Sequence, residues 1–165
     1  MPAGTTHLRI ELITLPLWIA LFYLFIDTSW LSVALFGGAY LFSSLFLSPD
    51  LDLRHNAARR RWGLLGFIWL PYTKVFKHRG VSHSLLFGTL TRLGYLALLA
   101  VLIGFALSYW NVWNPSATRL PWTKLDLGVV GVLLAGLWLP NILHALVDRV
   151  DSLLPRRRRR YRAYR

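Results

Sequence analysis

The residues able to do chemistry in this chain are its five histidines and seven acids, and most of them stand at the ends of apolar segments. His144 and Asp148 are four apart in His144-Ala145-Leu146-Val147-Asp148, so on a helix they leave from one face. There they either share a metal ion or pair with each other at a solvated helix end. Pro140, one turn earlier, leaves a backbone carbonyl unpaired and predicts a kink where such a site would begin. In Ser48-Pro49-Asp50-Leu51-Asp52 the proline stops a preceding helix, and Asp50 and Asp52 follow in an extended or turn segment. Carboxylates so spaced reach one cation or bridge two; the alternative is a hydrated loop. His78 and His83 frame His78-Arg79-Gly80-Val81-Ser82-His83-Ser84. A separation of five is wrong for one helical face, but a loop entering a helix capped by Ser82 would put His83 in the first turn. The free amides of such a helix start, with the fixed charge of Arg79, suit an anionic group. The alternative there is a pair of surface histidines. His7 by itself carries no signal, and His55, behind Arg54 in a basic loop, reads as surface.

These residues are spaced by long apolar runs. Apolar residues make up 55% of the chain and charged residues 16%, against the roughly 25% usual in soluble domains. Residues 10–26, 30–47, 93–110 and 127–147 each approach the ~17 to 25 residues needed to cross a bilayer. Glu11 and Pro16 lie in the first of these, and no small-residue cleavage site follows, so it reads as a retained anchor rather than a signal peptide. Residues 62–72 are too short to span. Broken by Gly63 and Gly66 and ending at Pro71, with Trp62, Trp69 and Tyr72 suited to the headgroup zone, they predict an interfacial or re-entrant segment. The fold expected is all-α: a polytopic helical membrane bundle of about four spans plus that short segment.

With four spans, Arg9, the basic residues between Arg54 and Arg92, Arg149 and the tail share one side, and only Arg119 and Lys124 lie on the other. The positive-inside rule puts both termini and the central loop in the cytoplasm, and Trp110, Trp113 and Trp122 flank the sparse outer loop. Residues 1–153 then form the embedded domain and residues 154–165 a basic cytoplasmic tail, whose arginines account for much of the +12 net charge and suit anionic lipid better than nucleic acid. The chain has no cysteine, so disulfides, thiolate metal sites and cysteine nucleophiles are excluded.

In this topology four histidines and three aspartates from separate segments meet at the cytoplasmic end, where ionisable groups are otherwise costly. Helical bundles build histidine–carboxylate metal sites from facing helices in this way. The donors suffice for one or two divalent ions, with zinc favoured over manganese or magnesium, and a centre of that kind commonly activates water.

Thr6-His7, Ser-Pro-Asp-Leu-Asp, Trp69-Leu70-Pro71-Tyr72, His-Arg-Gly-Val-Ser-His-Ser and the final His-x-x-x-Asp together resemble the uncharacterised metal-binding membrane proteins common in cyanobacteria. Those are similar in turn to bacterial inner-membrane metal-dependent hydrolases described as LexA-binding. The resemblance runs from His7 to Asp148 and leaves the arginine tail unmatched. It implies a hydrolase of the bacterial inner membrane, with His7, Asp50, Asp52, His78, His83, His144 and Asp148 as metal ligands. The reaction expected is hydrolysis of a phosphate ester, such as a lipid headgroup, with Arg79 holding the phosphate and Asp52 or Asp148 orienting water or acting as base. A non-catalytic metal-binding or metal-sensing membrane protein is the alternative; a transporter would place its ionisable groups nearer mid-span.

The topology has a direct test. Cysteine labelling at Ser116 and at Ala163 should report opposite sides of the membrane, and labelling from one side at both positions would remove the four-span arrangement.

Overall fold

A computed structural model describes residues 4–53, 56–76, 84, 87–113 and 126–153. The described residues are helical, without strands: α1 (Gly4–Phe25), α2 (Trp30–Phe46), α3 (Ala57–Arg61), α4 (Trp69–Val75), α5 (Phe87–Tyr109) and α6 (Leu127–Leu153), with 3-10 turns at Pro49–Asp52 and Gly63–Ile68. Among the described residues four helical stretches are long and apolar enough to cross a membrane: Thr6–Phe25, Trp30–Asp52, Phe87–Tyr109 and Leu127–Leu153.

The long helices overrun the apolar stretches that predict them. The first begins six residues before Ile10, the third six before Leu93, and the last continues six past Val147. Each extension lies at the same end of the bundle and carries polar residues into helical register. His7 is therefore inside α1 rather than ahead of it. Pro16 and Pro140 are both accommodated within helices.

α2 and α6 form the most extensive helix pair. Gly136 permits their approach, since a Cβ there would lie 2.5 Å from the Phe36 carbonyl oxygen and 2.8 Å from Ala39 Cβ. Phe22, Val33, Phe36 and Tyr40 fill the space between α1 and α2, closed by Val132, Leu139 and Leu143 of α6. At the far end from the histidines, Asp27 accepts the Ser29 amide and Asp126 the Gly128 amide, each at 2.8 Å. These two acids serve helix starts. Hydrogen bonds from Ser32 and the Ser29 backbone hold the Asp27 carboxyl below its usual range.

The short segment differs from its expectation. Trp69 and Tyr72 are not headgroup anchors but fully buried, packed with Leu47, Leu51 and Ala58. Tyr72 donates to or accepts from Thr91 at 3.0 Å, and burial pushes its phenol up. The Tyr95 hydroxyl donates to the Ile68 carbonyl. Pro71 does not end the helix, because it occupies the first turn of α4, where no intrahelical N–H is needed. Gly63, at φ +57°, supplies the left-handed residue after α3. The large apolar side chains left exposed include Leu64, Leu65, Phe67 and Val75. An outward surface of apolar side chains of this kind suits a shelf lying against lipid tails.

This short segment also closes α2. Arg61 Nη1 donates to the Leu45 carbonyl at 3.0 Å and Trp62 Nε1 to the Phe46 carbonyl at 2.9 Å, satisfying acceptors the helix end leaves free. Ser48 then caps the 3-10 turn through the Asp50 amide, with Pro49 at its first position. Of the two forms expected, extended or turn, Asp50 and Asp52 take the turn.

Replacing Gly136 by alanine should lower the thermal stability of the detergent-purified protein by roughly 1–3 kcal/mol, the usual cost of overpacking. Gly131→Ala, on the same helix with nothing within 4 Å of the added methyl, should be neutral or slightly stabilising. Equal effects would contradict the α2–α6 contact.

Candidate metal centre

The centre is built by two helices that use the same spacing. α1 carries His7 and Glu11, four apart, and α6 carries His144 and Asp148, four apart, so each helix presents a histidine and an acid from one face. His7 Nε2 lies 3.2 Å from Asp148 Oδ1, and His144 Nδ1 lies 3.3 Å from Glu11 Oε1. The two imidazoles stack, with ring centroids 4.0 Å apart and planes 17° from parallel. Asp50 joins from the turn after α2, its Oδ1 3.8 Å from His144 Nε2, and Asp148 Oδ2 lies 3.9 Å from the same nitrogen.

These groups are withdrawn from solvent. His7 and Glu11 are 3% exposed and His144 is 2% exposed. The cavity they share with Asp50, Ser44 and Arg61 encloses about 20 Å³. That is room for an ion or a water or two, set against the ~10 to 15 Å³ that one water requires.

Backbone contacts fix the donors. Tyr40, on α2, donates its hydroxyl to the Glu11 carbonyl at 2.9 Å and lies 3.4 Å from Thr14 Oγ1. Thr14 donates back to the Ile10 and Glu11 carbonyls. Asn141, one turn before His144, donates to Ser43 Oγ at 3.0 Å and to the Leu137 carbonyl at 2.8 Å, and Ser43 donates to the same carbonyl at 2.6 Å. The helices supplying the two histidines are thus both tied to α2.

The donor set fits a metal. His7 turns Nε2 towards Asp148, and His144 Nε2 faces Asp50 and Asp148, so buried imidazole and carboxylate atoms converge on one point. One ligand atom each from His7, His144 and Asp148 lie within 4.8 Å of one another. Ligands at about 2.1 Å in a tetrahedron stand about 3.4 Å apart. The separations of 3.2, 3.8 and 3.9 Å fall around that value.

Of the seven ligands expected, His7, Asp50, His144 and Asp148 come together. Asp52 is 5% exposed on the same turn as Asp50 and is not in the His7–His144–Asp148 group. His78, Arg79, His83 and the contrasting His55 lie outside the described residues. Glu11 is the residue that sequence reasoning missed. Its position inside an apolar run marked it as part of an anchor, yet the interval His7-x-x-x-Glu11 repeats that of His144-x-x-x-Asp148 and could have revealed it.

Comparison with known proteins places the chain in a family described as metal-binding. The sequence profile of a family described as "Uncharacterized metal-binding protein (DUF2227)" matches residues 2–158. A protein of Aquifex aeolicus (strain VF5), called "Uncharacterized protein", is 36% identical over 132 residues, covering 73% of this chain and 92% of its own. No solved structure matches.

If the four groups act as one unit, Glu11→Gln and His144→Ala should be non-additive in the metal-stripped protein. A double-mutant cycle read by thermal melting should give a coupling of about 1 kcal/mol or more. Additive effects would separate Glu11 from the centre.

Proposed function

Because this chain belongs to the family described as uncharacterized metal-binding proteins, we propose that it is a membrane-embedded, metal-dependent hydrolase of phosphate esters, acting at the cytoplasmic face. The observation carrying the reading is the reciprocal pair of His-x-x-x-acid faces on α1 and α6, buried at one end of helices long enough to span a bilayer.

His7, His144 and Asp148, joined by Asp50, would hold a divalent ion. The absence of thiols and the mixture of imidazole and carboxylate favour zinc, with manganese or magnesium the alternatives. The chemistry supplied there would be that of a Lewis acid, making water more acidic and withdrawing electrons from an ester oxygen. The chain's own residues do the rest. Glu11, within reach of His144 Nδ1, orients that imidazole, as outer carboxylates do for metal-bound histidines. Asp52 or Asp148 would accept the proton released on attack. Arg79, permanently charged, would hold the phosphate, with His78 and His83 completing the ligand set as expected from their motif. Residues 154–165 would rest on anionic lipid.

The cellular placement proposed is the bacterial inner membrane, with both termini cytoplasmic. Support comes from the outward apolar surface of α1 and α5 and from the exposed Leu64, Leu65 and Phe67 beside Arg59, Arg60 and Arg61.

One observation favours a second reading. The cavity shared by the described donors has room for an ion or a water or two, the size expected of a non-catalytic metal-binding or metal-sensing protein with a closed site.

Metal content of the detergent-purified protein separates the variants. His144→Ala and His83→Ala should lose most bound metal, while His55→Ala should retain it. Arg79→Ala should keep its metal and lose most turnover on a panel of phosphate esters and phospholipids. A fully metallated wild type that hydrolyses none of the panel would select the closed-site reading.

A further inference from the structure

Arg92 reads in the sequence as one of the loop cations that set topology. The structure puts it elsewhere. It lies in the second turn of α5 and is 0% exposed. Gly88, Thr89 and Arg92 are the buried residues of α5 among the described ones, with Leu93, Tyr95 and Leu96 partly buried against the core, so the helix meets the bundle chiefly at its site end. Arg92 Nη2 donates to Asn141 Oδ1 at 2.9 Å, and Asn141 is itself clamped by Ser43 and the Leu137 carbonyl. Nε and Nη1 are buried with no hydrogen-bond partner among the described residues.

A neutral amide does not offset a buried guanidinium, whose removal from water is among the most costly steps a bundle can make. Something nearby must carry opposite charge. Its bond to Asn141 holds Arg92 one turn from His144, and its electrostatic neighbours are Tyr72, Asp52, Asp50 and Glu11. Two of these acids belong to the metal centre. Asn141 leaves α6 from the same face as His144, three residues on. The arginine is therefore buried next to the turn that carries His144, where low dielectric makes charge–charge interactions with the acids long-ranged.

We propose that Arg92 is the fixed countercharge of the metal centre, a positioning residue that holds the carboxylates together when no cation is bound and moderates how tightly the centre retains one. This rests on the reading that the cluster binds metal. Arg92 does not reach a ligand or substrate; its charge sets the electrostatic potential in which the donors work. A bound divalent ion and Arg92 compete for the same negative charge, so loss of the arginine's charge weakens the metal-free bundle and strengthens cation binding.

The test titrates Zn²⁺ into the detergent-purified, full-length protein against a competing chelator. Arg92→Gln should bind Zn²⁺ more tightly, by about tenfold or more, since at an effective dielectric of about 20 a unit charge and a divalent ion within roughly 20 Å interact by at least that much. Arg92→Lys, which keeps the charge, should stay near wild type. Asn141→Asp reaches the same end by another route, giving the guanidinium a directly bonded carboxylate, and should also tighten binding; this variant keeps the proposal open to test if Arg92→Gln does not fold. Weaker binding in Arg92→Gln, or unchanged affinity in Asn141→Asp, overturns the proposal, as that is what a merely packing role would give. A metal-free arm distinguishes this idea from the metal reading. Arg92→Gln should melt at a lower temperature than wild type, and adding Glu11→Gln should recover part of the loss. A wild type that binds no Zn²⁺ would defeat the metal reading, and the melting cycle would still decide the countercharge.

Discussion

Charge placed inside a bundle of apolar helices has to be met by charge or by hydrogen bonds, and the contact between α1 and α6 is where this chain satisfies that demand. His7 and Glu11 on one helix would each be expensive to bury alone, as would His144 on the other. Facing one another at 3.2 and 3.3 Å, with the imidazoles stacked, they offset each other's loss of water. The direct α1–α6 contact is small beside that between α2 and α6. Its strength is chemical rather than a matter of area, and for that reason it also forms a donor set.

α2 is the column against which this contact is held. Tyr40 ties it to α1 beside Glu11, Ser43 ties it to α6 beside Asn141, and its end is stopped by Arg61 and Trp62 so that Pro49 can start the turn bearing Asp50. The close approach at Gly136 sets the distance between α2 and α6 one turn before Asn141 and two before His144. Packing and site geometry are therefore the same structure seen at two depths: the apolar half fixes helix separation, and the polar half uses it.

The buried network Arg92–Asn141–Ser43 extends that logic to α5. Apart from this end α5 presents mostly apolar side chains outward, such as Leu98, Val101, Leu102, Ile103 and Phe105. A helix exposing such a surface is suited to hydrocarbon on that side, where association gains little from the hydrophobic effect and polar contacts between helices matter more.

The sequence by itself determined the helical class, the four long apolar helices and the end at which the ionisable residues gather. Length, apolar composition and the position of each His or Asp relative to an apolar run are local properties, legible one segment at a time. The His144–Asp148 face was legible for the same reason, since a helix brings i and i+4 together wherever it lies. What only the tertiary structure decided are the pairings between segments. Glu11 looked like an impurity in a membrane anchor until α6 placed His144 against it, and Arg92 looked like a loop cation until Asn141 received it inside the bundle. Trp69 and Tyr72 carried the composition of headgroup anchors, yet Leu47, Leu51 and Ala58 took them into the core. The side chain of each of these residues is the same in either setting; its role follows from which surface lies opposite, and that depends on helix separation and rotation set by distant contacts such as Gly136 against Phe36.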